Sequence, residues 1–194
     1  MSEPDTNFPE ENPETIVWDL LQHMDIDPLT GLGNRRKGED LLNKVIQREG
    51  HNGKKVGVVF IDVDNFKPIN EAYDHEFGDS VLLEVARGIR NTFRPGDTPI
   101  RQGGDEFYVI LPDMKEARRI DLEKTLIGKI QDALSSRNDF KSHPEMINIG
   151  ATLALVFWDG TEDAKHLVNR ADKAMNEIKR KKHALGYGYQ EEND

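Results

Sequence analysis

Residues 98–112 constrain the fold of this chain most strongly, because they form two extended arms around a glycine pair. The segment reads TPIRQGGDEFYVILP, with Gly103 and Gly104 at the break. A short glycine-rich break between β-prone arms predicts a hairpin. The second arm is too apolar for an exposed edge, so we expect it to be an internal strand.

The head of that second arm carries two adjacent acids, Asp105 and Glu106. Like charges about 4 Å apart repel by about 1 kcal/mol in water and by several times more in a protein. A bound metal ion would relieve this repulsion. The alternative interpretation is a solvated turn whose acids only aid solubility.

A second extended segment also ends in acids. Residues 55–66 read KVGVVFIDVDNF, and strand alternation points Asp62 and Asp64 to one face and Val63 to the other. If this strand lies beside the hairpin, Asp62 converges with the two acids of the hairpin. Such a cluster suits divalent metal ions that hold a triphosphate and activate a hydroxyl group for in-line attack.

Four blocks of sequence resemble the GGDEF family, the diguanylate cyclases. The glycine pair and the three residues after it spell the family's name. The other blocks resemble its opening motif, its metal and guanine segment and its closing helix, and together the four extend over about residues 25–188. The blocks are Asp27–Leu32 with Asn34–Arg36; Asp62–Lys67 with Asn70, His75 and Gly78-Asp79; Gly103–Phe107; and Ala171–Met175 with Lys179.

The resemblance implies a metal-dependent cyclase site. Asp62, the carbonyl group of Val63 and Asp105 would bind Mg²⁺ or Mn²⁺, with two ions in each active site. Asp105 or Glu106 would help to deprotonate the attacking hydroxyl group, and both assignments stay open.

The resemblance also implies how guanine is bound. Asp79 would accept hydrogen bonds from the N1–H and 2-amino groups of the base, Asn70 would contact its other edge, and His75 belongs to the same substrate-binding segment. A carboxylate that faces two parallel donors favours guanine over adenine. Asp79 also has a simpler interpretation as the N-cap of a helix.

The phosphates of the substrate would contact two lysines and the glycine pair. Lys67 and Lys179 are the basic residues that the resemblance assigns to phosphate. Gly103 and Gly104 would let the backbone approach the phosphates closely, since a side chain would intrude there.

Arg94 and Asp97 surround a Pro-Gly turn and fit the pattern Arg-x-x-Asp, which ends five residues before Gly103. In the resembling family this spacing defines an inhibitory site for the product. The site normally includes a second basic residue from the next helix, for which Lys124 and Lys129 are the candidates.

The reaction implied by the resemblance joins two GTP molecules into cyclic di-GMP and releases two pyrophosphates. Each subunit would hold one GTP, so catalysis implies an antiparallel homodimer, with cyclic di-GMP as both product and feedback ligand. His183 and Asn176 stand where the family has arginine and commonly tyrosine. These departures favour an alternative, a catalytically weak receptor for cyclic di-GMP or GTP; a third possibility is an interaction module.

Composition further limits the kind of protein that this chain can be. The chain has 194 residues, no cysteine and a net charge of −10, which excludes disulfides and argues against a nucleic-acid polymer as partner. No apolar run approaches the roughly 18 residues of a membrane span, so we expect a cytoplasmic protein without one. We expect a tail or linker with a short helix at residues 1–25, the cyclase domain at 26–188 and a tail at 189–194.

The element order α, β, α, hairpin, α, β, α predicts an α/β (α+β) sandwich with a mixed, mostly antiparallel central sheet flanked by helices. The resemblance sharpens this to a palm-like nucleotidyl cyclase fold. We predict a polar segment at 66–78 before a helix that starts at Asp79, and Thr161 as the cap of the last helix. The other predicted elements are helices at about 12–24, 34–48, 114–135 and 162–182, a strand at 146–158 and a short hairpin near 186–189.

Overall fold

A five-stranded sheet forms the centre of the molecule. The structure is a computed structural model that describes residues 25–50, 52–73, 75–114, 122–136 and 149–185. The strands are β1 (Gly33–Asn34), β2 (Gly57–Asp64), β3 (Thr98–Gly103), β4 (Glu106–Leu111) and β5 (Gly150–Phe157). Their order across the sheet is β1-β3-β4-β2-β5. β1 runs parallel to β3, and the other neighbours are antiparallel.

Helices cover both faces of this sheet. They are α1 (Arg35–Val45), continued by a π-helical turn at Ile46–Gly50, α2 (Phe66–Ala72), α3 (His75–Thr92), α4 (Leu122–Ser135) and α5 (Ala164–Ala184). One hydrophobic cluster joins the sheet to α3 and α4, and a second joins it to α1 and α5. The predicted sandwich with a mixed, mostly antiparallel sheet is confirmed. Within the described ranges, no helix combines the length and apolar composition needed to cross a bilayer.

The central strand β2 explains why its segment is so apolar. Alternate residues of β2 enter the two hydrophobic clusters, so the strand is buried on both faces. β4 also lies inside the sheet, between β3 and β2, which confirms that the second arm of the hairpin is an internal strand. In register, Asp62 lies opposite Glu106 on one side and Thr152 on the other.

The predicted start of a helix at Asp79 is wrong, and the polar segment at 66–78 is itself largely helical. This stretch contains α2 and the start of α3, which begins at His75 and not at Asp79. The helical signal is local and weak: Phe66 and Ile69, three residues apart, turn to the core. Asp79 is therefore the fifth residue of α3 and not an N-cap.

Gly78 lies inside α3 for a packing reason. A Cβ at this position would lie 3.3 Å from Cγ of Asn70 and closer still to its Oδ1. The missing side chain allows α2 and α3 to approach each other, where the sequence suggested a helix start.

Two further boundaries differ from the prediction. Asp163, not Thr161, caps α5, since its carboxylate accepts from the backbone N–H of His166 at 2.8 Å. Thr161 instead donates through its backbone N–H and hydroxyl group to Asp159 Oδ1, at 2.8 and 3.0 Å. Met114 lies outside α4, and its N–H donates to the carbonyl oxygen of Lys55 at 2.9 Å.

The two-residue strand β1 was not predicted, because it is too short to carry a periodic pattern. Three predictions lie outside the described residues. They are the helix at 12–24, the first residues of the strand at 146–158 and the hairpin near 186–189.

Candidate active site

The acidic ends of β2 and of the hairpin meet, as the sequence predicted. Asp62 and Glu106 are partners in the β2–β4 ladder. The N–H of Val63 donates to the carbonyl oxygen of Asp105 at 3.3 Å. Asp62 is 8% exposed, whereas Asp105 and Glu106 are half-buried. Three carboxyl groups therefore share one end of the sheet.

The burial and mutual repulsion of these carboxyl groups disfavour their charged forms. Burial raises the pKa of Asp62, and the charges of Asp105 and Asp64 raise it further. Burial also raises the pKa of Glu106, with additional contributions from the charges of Asp172 and Asp62. Because the charged carboxylates are disfavoured here, a cation that enters this cluster is stabilised.

One such cation is part of the chain. Lys179, which projects from α5, places its Nζ against Asp62 Oδ1. The lysine lowers the pKa of Asp62, although burial outweighs it. The residue that the sequence assigned to phosphate therefore lies on the carboxylate that it assigned to metal.

The predicted metal ligands suit Mg²⁺ or Mn²⁺, which prefer oxygen donors. The set contains the Asp62 and Asp105 carboxylates and the carbonyl group of Val63. In the part of the chain that the structure describes, no group of three or more His, Cys, Asp or Glu side chains is arranged for a metal. The predicted set contains only two carboxylate side chains, those of Asp62 and Asp105. The raised pKa of Asp62 and the Lys179 ammonium group against it indicate a position that attracts cations.

The turn of the hairpin opens towards solvent. Gly103 and Gly104 have φ angles of 152° and 53°, in the region that favours glycine. No heavy atom lies within 4 Å of a Cβ built on either residue. The glycines are thus required by backbone conformation, and the space in front of the turn is free for a ligand.

Sequence reasoning missed Arg101, which anchors this turn. Its Nε and Nη2 donate to the carbonyl oxygen of Gly104 at 3.1 and 2.8 Å. Its Nη1 donates to Asp27 Oδ1 and Oδ2 at 3.1 and 3.3 Å. Asp27 also accepts from the N–H and hydroxyl groups of Thr30, at 2.8 and 2.6 Å. Arg101 is the one basic residue in the two arms of the hairpin, and this was the available signal.

The predicted guanine residues lie on α2 and α3. The Asn70 side chain packs against Gly78, the residue that precedes Asp79 in the chain. Asp79 is exposed. His75 is also exposed, at the first position of α3. Lys67 is 81% exposed and lies 3.7 Å from Glu71 on its own helix.

The predicted inhibitory pair is formed by one turn and its side chains bind each other. Arg94 donates through Nε to Asp97 Oδ1 at 3.1 Å and through its backbone N–H to Oδ2 at 3.2 Å. Its Nη2 donates to the carbonyl oxygen of Asp113 at 2.6 Å. The Asp97 side chain is fully buried and that of Arg94 is 39% exposed, so a ligand would meet Arg94 first. The candidates Lys124 and Lys129 are exposed on α4.

The two departures from the family pattern lie on α5. His183 is exposed. Asn176 is also exposed, and its Nδ2 donates to Asp172 Oδ1 at 2.8 Å. The charge of Asp172 raises the pKa of Glu106. Asn176 therefore binds a carboxylate whose charge is felt in the acidic cluster.

Comparison with known proteins gives one consistent family. The family described as Diguanylate cyclase, GGDEF domain matches residues 24–184. The bifunctional diguanylate cyclase/cyclic di-GMP phosphodiesterase MucR of Pseudomonas aeruginosa is 35% identical over 162 residues, which make up 83% of this chain and 23% of that protein. The response regulator PleD of Caulobacter vibrioides is 34% identical over 155 residues, 79% of this chain and 33% of that protein.

A solved structure agrees with this result. The GGDEF domain of DgcB from Caulobacter crescentus, in complex with c-di-GMP, aligns with a TM-score of 0.68 at 28% identity. The alignment covers 80% of this chain and 88% of that chain. The chain thus spans a third or less of the two curated relatives but most of this domain. With its palm-like fold and its acidic hairpin, the chain belongs to the GGDEF family of diguanylate cyclase domains.

Proposed function

We propose that this chain is a diguanylate cyclase that condenses two GTP molecules into cyclic di-GMP. The observation that carries the proposal is the meeting of the acids of β2 and of the hairpin, below an open glycine turn and against Lys179. A buried, cation-attracting cluster next to free space suits a metal-bound triphosphate.

In the proposed reaction, the 3′-oxygen of one GTP attacks the α-phosphorus of the other. The bond between that phosphorus and the bridging oxygen to the β-phosphate breaks, and pyrophosphate leaves with the electron pair. The same step, repeated in the opposite direction, closes the ring. When bound by Asp62, the Val63 carbonyl group and Asp105, Mg²⁺ or Mn²⁺ ions would neutralise charge on the phosphates and lower the pKa of the attacking hydroxyl group.

Glu106 is the stronger candidate for the general base. Burial and the charges of Asp172 and Asp62 raise the pKa of its carboxyl group. A raised pKa brings a carboxylate closer to the operating pH and makes it a better proton acceptor. We assign the proton of the 3′-hydroxyl group to a carboxylate oxygen of Glu106, and metal coordination to Asp105.

Asn70 and Asp79 would select the guanine base. Their positions on α2 and α3 are brought together by the contact of Asn70 with Gly78. Asp79 is exposed and therefore able to accept hydrogen bonds from a ligand. His75 and Lys67 lie on the same two helices and would contact the substrate from its open side.

A single site holds one GTP, so the proposed reaction requires a homodimer in which two sites face each other. The proposed feedback site is Arg94 with Asp97, and the exposed part of the Arg94 guanidinium group would bind the product first. Because the two side chains already bind each other, product binding at Asp97 would require this pair to open.

The direct test incubates the purified protein with GTP and Mg²⁺ and separates the products by chromatography. We expect cyclic di-GMP and pyrophosphate from the wild type and none from Asp105→Ala. Asp132→Ala, which removes an exposed acid on α4, is the matched control and should remain active. Absence of product from the wild type, even at protein concentrations that favour dimers, would refute the cyclase.

A second candidate function is a receptor for cyclic di-GMP. The exposed His183 and the engagement of Asn176 with Asp172 favour it. A receptor would bind cyclic di-GMP without turning over GTP, and Arg94→Ala would abolish that binding. Because the cyclase would also bind its product through Arg94, the two functions are distinguished by GTP turnover, measured beside calorimetric titration of cyclic di-GMP into the wild type and this variant.

A further inference from the structure

Five basic residues follow one another near the end of α5, and only two of them face the sheet. The buried side of this helix runs through Leu167, Ala171 and Met175. Further along the same side, Lys179 and Lys182 are half-buried. The other three members of the run, Arg180, Lys181 and His183, are exposed. The fold therefore separates two inward lysines from a solvated remainder.

Lys182 meets the sheet beside the contact of Lys179. Its Nζ lies 3.4 Å from Thr152 Oγ1, and Thr152 is the ladder partner of Asp62 on β5. Thr152 is fully buried, and its hydroxyl group donates to Asp64 Oδ1 at 2.7 Å. The two ammonium groups therefore contact paired residues of β2 and β5, at the acidic end of the sheet.

These ammonium groups offset the negative charge of the carboxyl groups around them. The carboxyl groups of Asp62, Asp64, Asp105 and Glu106 gather at this end of the sheet. A polyphosphate is repelled by such a cluster unless positive groups face it. We propose that Lys182 binds the polyphosphate of the nucleotide together with Lys179, an inference that rests on GTP being the substrate of the proposed function.

Lys179 and Lys182 make contacts of different kinds at this end of the sheet. Lys179 lies on a carboxylate, so its release leaves Asp62 in need of another cation. The contact of Lys182 with the Thr152 hydroxyl group is long and to a neutral acceptor. Exchange of this contact for a charged phosphate oxygen gives a shorter and stronger hydrogen bond. A charged phosphate oxygen is therefore a better acceptor for Lys182 than the Thr152 hydroxyl group.

The test compares Lys182→Ala with Lys181→Ala. Both variants remove one lysine from the same turn, but Lys181 is exposed. Calorimetric titrations with GTP and with GMP, in Mg²⁺, give affinities that do not depend on turnover. We expect Lys182→Ala to weaken GTP binding about tenfold, to weaken GMP binding much less, and Lys182→Arg to keep most of the affinity. Lys181→Ala should change neither affinity by more than about twofold.

Three results would overturn the proposal: a GTP affinity within twofold of wild type in Lys182→Ala, an equal loss for GTP and GMP, or an equal loss in Lys181→Ala. Thermal unfolding of each variant accompanies the titrations. A lower melting temperature with unchanged GTP affinity would assign Lys182 to structure alone and refute it as well.

The outcome is separable from that of the cyclase assay. A wild type that binds GTP through Lys182 but forms no cyclic di-GMP supports this inference and refutes the cyclase. A wild type that forms cyclic di-GMP, with Lys182→Ala unchanged in GTP affinity, does the reverse. A wild type that binds no GTP refutes both.

Discussion

Replacing Arg101 by alanine should both destabilise the protein and impair its chemistry, because this side chain connects the hairpin turn to the loop at Asp27. The substitution removes two hydrogen bonds to the carbonyl oxygen of Gly104, of 3.1 and 2.8 Å. It also removes the ion pair with Asp27, at 3.1 Å. The turn that faces the proposed triphosphate then loses its anchor.

The magnitude follows from how deeply the pair lies. The side chains of Arg101 and Asp27 are 13% and 18% exposed. Removal of one partner of a fully buried pair costs about 3–5 kcal/mol, and a hydrogen bond to a charged group contributes about 1.5–3 kcal/mol. Since water reaches part of this site and Thr30 still donates to Asp27, we expect a loss of about 2–3 kcal/mol.

The assay is urea unfolding, with GTP turnover measured in parallel. Arg101→Lys keeps the charge but not the forked geometry, so it should recover only part of the stability. Arg35→Ala is the matched control: it breaks an ion pair with Glu39 in which the side chains are 61% and 38% exposed, and it should cost less than about 0.5 kcal/mol. Misplacement of the turn should lower kcat/KM about tenfold or more in Arg101→Ala.

The pH dependence provides a second measurement. Burial raises the pKa of Asp27, but hydrogen bonds from Thr30 and the pairing with Arg101 outweigh it and hold the pKa below the ordinary 3.8. A pKa that is lowered by folding adds stability that is complete well above the unfolded value and is lost as the pH falls through the folded value. The difference in unfolding free energy between wild type and Arg101→Ala should therefore be constant above about pH 5 and shrink below 3.8. A loss in Arg101→Ala no larger than that in Arg35→Ala, or one independent of pH, would refute the reasoning.

Four other predictions concern packing, capping and recognition. Tyr108→Phe should stabilise the protein by about 1 kcal/mol in urea unfolding, because the buried hydroxyl group has no hydrogen-bond partner within the described residues; a loss of stability would contradict this. Gly38→Ala should destabilise by about 1–2 kcal/mol despite its gain in helix propensity, since the new Cβ would lie 2.7 Å from Tyr108 Cζ, and Tyr108→Phe should reduce that cost. Asp163→Ala should lower the melting temperature through loss of the α5 cap, whereas Thr161→Ala should have little effect. Asp79→Ala should weaken GTP binding in calorimetry without changing the melting temperature, and unchanged affinity would remove Asp79 from the guanine site.

The hairpin and the central strand could be predicted because their signals are local. A glycine pair between β-prone arms and a continuous apolar run each specify a strand without reference to the rest of the chain. Two acids at each strand end then indicated where the strands meet, and the β2–β4 register places Asp62 opposite Glu106 as expected. α2 was missed for the opposite reason, since its apolar signal consists of Phe66 and Ile69 within a polar stretch.

The contacts that neutralise charge could not be predicted, because they join residues far apart in the chain. Arg101 and Asp27 are 74 residues apart, and Lys179 and Asp62 are 117 apart. A motif states which residues carry oxygen atoms for metal or phosphate, but it does not state which cations stand against them. The basic run of α5 consists of five adjacent residues, and only the packing of the helix on β2 and β5 turns Lys179 and Lys182 inward. Moving a basic residue by one position along this run therefore changes the direction in which its side chain points. The effect of such a move on nucleotide binding has to be derived from the fold.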